Sequence, residues 1–146
     1  MQRGLMAGLL LAVLMTGCGG GSDEGHLATT GTVTVNGQPV ANVVVTYIPQ
    51  GTTGGNGGTA TTDSSGRYEI VPTHGKSLPP GQYKVTVSRR LNPDGSPPDP
   101  NVPPMESSAR ETLPAKYTDA DKTELNVTLV AGEKKPNDFA VKSLKK

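Results

Sequence analysis

Residues 31–49, GTVTVNGQPVANVVVTYIP, decide the fold class. Val33 and Val35 alternate with Thr32 and Thr34, the period-two pattern of a strand buried on one face. Asn36-Gly37 follows, a pair that accepts the positive φ angles a two-residue hairpin requires. The alternation then resumes with Val43, Val45 and Tyr47 on one face, until Pro49 and the glycines at 51, 54, 55, 57 and 58 end the run.

Working outward, the same period recurs. TATTDSSGRYEIV (59–71) reads as two short strands about a turn, with Asp63 accepting from backbone N–H groups ahead of it and Gly66 supplying a left-handed residue. Tyr68 and Ile70 then face inward. GQYKVTVSRR (81–90) alternates Tyr83, Val85 and Val87 with Lys84, Thr86 and Ser88. ELNVTLV (124–130) and NDFAVK (137–142) add Leu125, Val127 and Leu129, then Phe139 and Val141, across a turn at Gly132. One register puts Val45, Tyr83, Val85 and Val127 inside and Thr46, Lys84, Thr86 and Thr128 outside. Nothing after Cys18 has a helical period. The expectation is an all-β fold: one seven-stranded antiparallel β-sandwich.

The pattern breaks at 92–114, where seven prolines stand at 93, 97, 98, 100, 103, 104 and 114. Proline offers no ladder donor, so no central strand passes through this segment. Its few apolar side chains, Val102, Met105 and Leu113, are too scattered to bury a face. The segment is expected to leave the sandwich, either as a plain surface insertion or as a polyproline II arm offered to a partner.

The chain opens differently. Arg3 precedes an apolar run from Leu5 to Met15, then Thr16 and Gly17, which is the layout of a signal peptide. The run is too short for an uncut span, which needs roughly 20 residues. Leu14-Met15-Thr16-Gly17-Cys18 resembles the bacterial lipobox, with Met15 where Leu is preferred. That resemblance implies that the Cys18 thiol carries diacylglycerol, that the chain is cut before it, and that the new amine is acylated. Exported proteins rarely keep a lone thiol, and Cys18 is the single cysteine. Several acyl chains give a stable anchor where one does not. The expected division is a leader at 1–17, a lipidated Cys18 with a Gly-rich tether at 18–28, and a folded domain at 29–143. Gly19, standing where some sorting systems read an Asp as a retention signal, favours the outer over the inner membrane of a bacterial envelope.

Three stretches carry a further likeness: GTVTVNGQPVANVVVTYIP, TATTDSSGRYEI and PPGQYKVTVS. Together they resemble the carboxypeptidase regulatory-like domain, a transthyretin-like β-sandwich found on bacterial surface proteins and lipoproteins. LPAKYTDADKTELNVTLVAGE resembles the ending common in small lipoproteins of that group. The resemblance spans residues 29–141 and implies an accessory module without catalysis. Transthyretin-like hydrolases of 5-hydroxyisourate end in Tyr-Arg-Gly-Ser, whereas this chain ends AVKSLKK.

The chemistry-bearing residues are few. The chain has 14 Lys+Arg and 13 Asp+Glu, and losing Arg3 with the leader makes the counts equal, so there is no electrostatic footprint for nucleic acid. His26 falls in the tether without a second ligand nearby. His74 lies in a loop, and no motif supplies it with a nucleophile and an orienting carboxylate, so a solvated role is expected. Asp119, Asp121 and Glu124 lack the ligand spacing of a calcium loop and read as turn chemistry. Arg89 and Arg90 are expected to be solvated at a strand end, with Lys142, Lys145 and Lys146 as a small basic tail. Asn126-Val127-Thr128 matches a glycosylation sequon, discounted inside a strand of a bacterial protein. No metal, cofactor or catalytic set is expected. The reading is a non-catalytic, lipid-anchored envelope module with a structural or protein-interaction role, held to the membrane through Cys18 and meeting an envelope protein or glycan partner. The alternative is a surface carbohydrate-binding module, which needs exposed rings; Tyr117 is the one ring not on an inward phase.

Overall fold

The computed structural model describes residues 29–74 and 77–145. The leader, Cys18, the tether with His26, and Lys146 lie outside the described residues. β1 (Thr30–Val35) turns through Asn36 (φ 53°) and Gly37 (φ 83°) into β2 (Gln38–Pro39), so the Asn-Gly pair makes the expected two-residue reversal. The remaining elements are β3 (Val44–Pro49), β4 (Gly58–Thr61), β5 (Arg67–Glu69), β6 (Val71–Pro72), β7 (Gly81–Ser88), β8 (Arg90–Leu91), β9 (Arg110–Glu111), α1 (Ala115–Thr118), β10 (Asn126–Leu129) and β11 (Phe139–Val141).

The strands form two main sheets. One has the order β11-β1-β2, with β5 pairing the first half of β1; the other runs β10-β7-β3-β4-β6. Both contribute to one apolar core. Val33, Val35, Tyr68, Phe139 and Val141 come from the first sheet, and Val45, Tyr47, Tyr83, Val85, Val87, Val127 and Leu129 from the second. The outward phase also holds: Thr46, Lys84 and Thr86 are half-buried and Thr128 is exposed. This is the sandwich-like, nearly all-β arrangement expected, because a period-two pattern on both layers has one way to hide its apolar faces.

Four features depart from the reading. The described residues hold eleven strands instead of seven, the additional ones being the two-residue ladders β2, β6, β8 and β9. The sheets are not wholly antiparallel, since β11 runs parallel to β1 with Val33 opposite Phe139. Nearly the whole domain separates these two strands, so no hairpin constrains their sense. A one-turn helix, α1, follows Pro114 and is anchored by one buried ring, Tyr117. A single turn is too short to show a period. The fourth departure concerns 109–113, described with the arm below.

Two turns show how local chemistry sets the register. Asp63 Oδ1 accepts from Ser65 N (2.8 Å) and Arg67 N (3.0 Å), while Gly66 sits at φ +74° and donates its N–H to Asp63 O. A Cβ on Gly66 would stand 2.7 Å from Val33 O. Gly31 is a close approach of another kind, because a Cβ there would stand 1.8 Å from Asn137 O. That carbonyl also accepts the Tyr68 hydroxyl (2.6 Å), which is 3.0 Å from the Tyr47 hydroxyl. Tyr68 has committed its proton to Asn137, so Tyr47 donates to Tyr68. Burial pushes the Tyr47 phenol up to about 12 and raises Tyr68 and Tyr83 as well.

Candidate functional site

The largest departure from the sandwich is the arm between β8 and β9. Its turns are tied by its own polar side chains. Asn92 Nδ2 donates to Ser96 Oγ (3.0 Å) and Pro97 O (3.1 Å), and Asn92 Oδ1 accepts from Ser108 Oγ (3.2 Å) at the far end. Asp94 Oδ1 accepts from Ser96 N and Oγ, and the Ser96 hydroxyl holds its carboxyl below the usual carboxylate range. Asp99 Oδ1 accepts from the backbone and side-chain nitrogens of Asn101. These are Asx-type turns, which order a segment whose prolines leave few backbone donors.

The arm rejoins the body at Glu111. Its carboxylate accepts from Ser88 Oγ (2.5 Å), Arg89 N (3.0 Å), Thr112 N (2.9 Å) and Leu113 N (2.9 Å). Thr112 Oγ1 donates to Arg89 O, and Leu144 N to Thr112 O. Here the sequence reading is corrected: Leu113 is 1% exposed and belongs to the core, and Ala109 is buried too. Once Arg110–Glu111 pairs with Arg90–Leu91, Leu113 is delivered inward, a contact that scattered apolar residues in sequence do not announce. Val102 and Met105, by contrast, stay at the surface.

Arg89 and Arg90 are likewise corrected. Both are half-buried, and Arg90 Nη2 donates to Ala109 O (2.8 Å). Arg90 fastens the arm through its side chain and Arg89 through its backbone, which donates to Glu111 and accepts from Thr112, while the Arg89 Nε is buried without a hydrogen-bond partner among the described residues. Beneath it the arm leaves a cleft of about 530 Å³ against the outer face of β3 and β4, lined by Val44, Arg90, Pro97, Pro98, Pro100 and Val102 among others. Val44, like Ile48, is an apolar side chain on the outward phase of β3, and it is 41% exposed and lines this cleft.

The other sequence candidates resolve simply. His74 is exposed. Asp119 Oδ1 accepts from Asp121 N (2.9 Å) and Asp119 pairs with Lys122 (3.4 Å), so the acidic stretch makes a turn, and the Asp121 N–H lowers the Asp119 carboxyl. Glu124 and Asp121 are exposed beside it. Among the described residues no group of three His, Cys, Asp or Glu is placed to hold a metal. Lys142 and Lys145 are exposed, and Asn126 and Thr128 stand on the outer side of β10. Tyr117 is the remaining correction. It is 8% exposed, so all four tyrosines and the single phenylalanine are buried and no ring is offered for sugar stacking.

Asn92 and Glu111 are the residues the sequence reading missed. An Asn before Pro-Asp-Gly is a turn signal, but its bond to Ser108 needs the arm already folded. A lone Glu after Arg carries no local mark of its four donors. No family model, curated protein or solved structure matches the chain. The fold and site therefore define a class in structural terms: a β-rich, sandwich-like body bearing an ordered proline-rich arm.

Proposed function

We propose that this chain is a non-catalytic, lipid-anchored module of the bacterial cell envelope, carboxypeptidase regulatory-like and transthyretin-like in type, that engages a protein partner through the arm at 92–108. The observation that carries the reading is the arm itself: a proline-rich segment held in shape by Asn92, Asp94 and Asp99 above an apolar cleft. A segment already ordered by its prolines and turn bonds loses little conformational entropy on binding. The anchor rests on Leu14-Met15-Thr16-Gly17-Cys18 and the apolar run before it. The Gly-rich stretch at 19–25 allows the body to stand off the bilayer. Gly19, standing where some sorting systems read an Asp as a retention signal, favours the outer over the inner membrane.

The test has two arms. Cells making the wild type and Cys18→Ala are fractionated after labelling with a palmitate analogue; label and membrane attachment are expected in the first and lost in the second. Cross-linking in intact envelopes then compares the wild type with a chain whose residues 94–106 are replaced by a Gly-Ser linker. Adducts that persist unchanged in the arm-replaced chain overturn the arm as the binding element.

A further inference from the structure

We infer that Met105 is a modification site on the arm: its thioether makes the arm's apolar contact with the partner, and oxidation to the sulfoxide by a peroxide releases that contact. The inference rests on the arm being the binding element, and it names the side chain and the chemistry that regulate it.

Met105 is 99% exposed, whereas the other large apolar side chains at the described surface lie between 37% and 68%. The backbone builds that display. Glu106 N (2.9 Å) and Ser107 N (3.1 Å) both donate to Pro103 O, so Pro104 and Met105 form the corner of a closed turn. Pro104 fixes its own φ, Val102 N donates to Asp99 O (3.1 Å) on the approach, and Ser108 Oγ donates to Asn92 Oδ1 on the way out. An unbranched, polarizable side chain adapts to an irregular apolar hollow, which suits it to a contact. No ring competes for that role, since every tyrosine and the phenylalanine are already buried.

The same sulfur is where an oxidant acts without reaching the core. Of the 4 methionines, Met1, Met6 and Met15 precede Cys18, so a chain that begins at Cys18 keeps Met105 alone. The Met105 sulfur attacks one oxygen of hydrogen peroxide. The O–O bond breaks, an S–O bond forms, and the second oxygen leaves as water with both protons; the sulfur loses two electrons and the peroxide gains them. Two thiols reverse the step, becoming a disulfide and carrying the oxygen away as water. The sulfoxide is polar and chiral where the thioether was apolar. A side chain that is 99% exposed has no burial to lose within its own chain, so the fold is unchanged while an apolar contact with a partner weakens about tenfold or more.

The test uses the full mature chain, purified from its membrane in detergent. Trypsin cuts after Arg90 and Arg110, which places Met105 on the peptide 91–110. Under hydrogen peroxide that peptide should gain one oxygen at a rate within about threefold of N-acetylmethionine amide, with the melting transition unmoved. The chain, freed of peroxide, is then titrated onto envelopes of cells that lack it and cross-linked. The concentration giving half of the maximal adduct should rise about tenfold for the oxidised wild type and for Met105→Gln, and stay near the wild-type value for Met105→Leu with or without peroxide. Oxidation of the peptide about tenfold slower than the free amide overturns the inference, as does a Met105→Gln chain that binds like the wild type, or a Met105→Leu chain that peroxide weakens as much. If adducts disappear when residues 94–106 are replaced yet ignore Met105→Gln, this inference fails and the arm stands. If adducts persist without the arm, both fail.

Discussion

Removing the Tyr68 hydroxyl should cost more than removing the Tyr47 hydroxyl, although Tyr47 is the more deeply buried side chain. The rings pack together through Phe139, with centroids 6.2 Å from Tyr68 and 6.5 Å from Tyr47. A Tyr→Phe change keeps those contacts and isolates the polar chain. Tyr68 donates to Asn137 O at 2.6 Å and accepts from Tyr47 at 3.0 Å, so Tyr68→Phe breaks two bonds and leaves partners on both sides to find substitutes. At about 0.5–1.5 kcal/mol net for each bond, and more for a buried group left unpaired, the cost is about 2–3 kcal/mol. Tyr47→Phe breaks one bond, leaves the Tyr68–Asn137 bond intact, and should cost about 0.5–1.5 kcal/mol. The double variant removes donor and acceptor together, so its cost should fall close to that of Tyr68→Phe alone. Urea unfolding reads the difference: at a slope of about 1.5 kcal/mol/M, the midpoint should fall by about 1–2 M for Tyr68→Phe and by half or less for Tyr47→Phe. Equal midpoints for the two single variants, or additive losses in the double variant, would refute the bond order Tyr47 to Tyr68 to Asn137.

Other expectations follow from the same coordinates. Stability should be insensitive to these phenols below pH 10 and decline as pH rises from 10 toward about 12, because burial raises Tyr47 above its unfolded value and the folded state holds the proton longer; the decline should be shallower in Tyr47→Phe, measured by denaturant midpoints across that range. Val85→Ala should cost about 1–3 kcal/mol and Thr86→Ala close to nothing, and equal losses would show the strand phase to be wrong. Glu111→Ala, which strips acceptors from Ser88, Arg89, Thr112 and Leu113, should cost about 2–4 kcal/mol and speed proteolysis within 92–108, read by limited digestion. Replacing residues 94–106 with a Gly-Ser linker should leave a cooperative melt, since Ala109, Glu111 and Leu113 remain to close the body.

The strand phases were legible because each relies on neighbours two residues apart. Val33, Val45, Tyr83, Val85 and Val127 fall inside as their alternation requires, and the Asn36-Gly37 and Asp63–Gly66 turns form from their own side chains and φ preferences. What was not legible depends on contacts made across the chain. Leu113 is buried only because β9 finds β8 twenty residues earlier in sequence. Tyr117 is buried by a helical turn too brief to leave a period. The parallel pairing of β11 with β1 joins residues 106 apart, Val33 and Phe139, and neither strand's sequence states a direction. The site follows the same division: seven prolines announced an arm, but the Asn92 and Glu111 bonds that shape it exist only after folding.

The central claim is that Cys18 moors this body to a membrane. Mass spectrometry of the N-terminal peptide from protein isolated from its own envelope tests it most directly. The expected result is a chain that begins at Cys18 and carries a diacylglyceryl thioether with an acylated amine. A mature chain that begins at any other residue, or a Cys18 found as a free thiol, would contradict it.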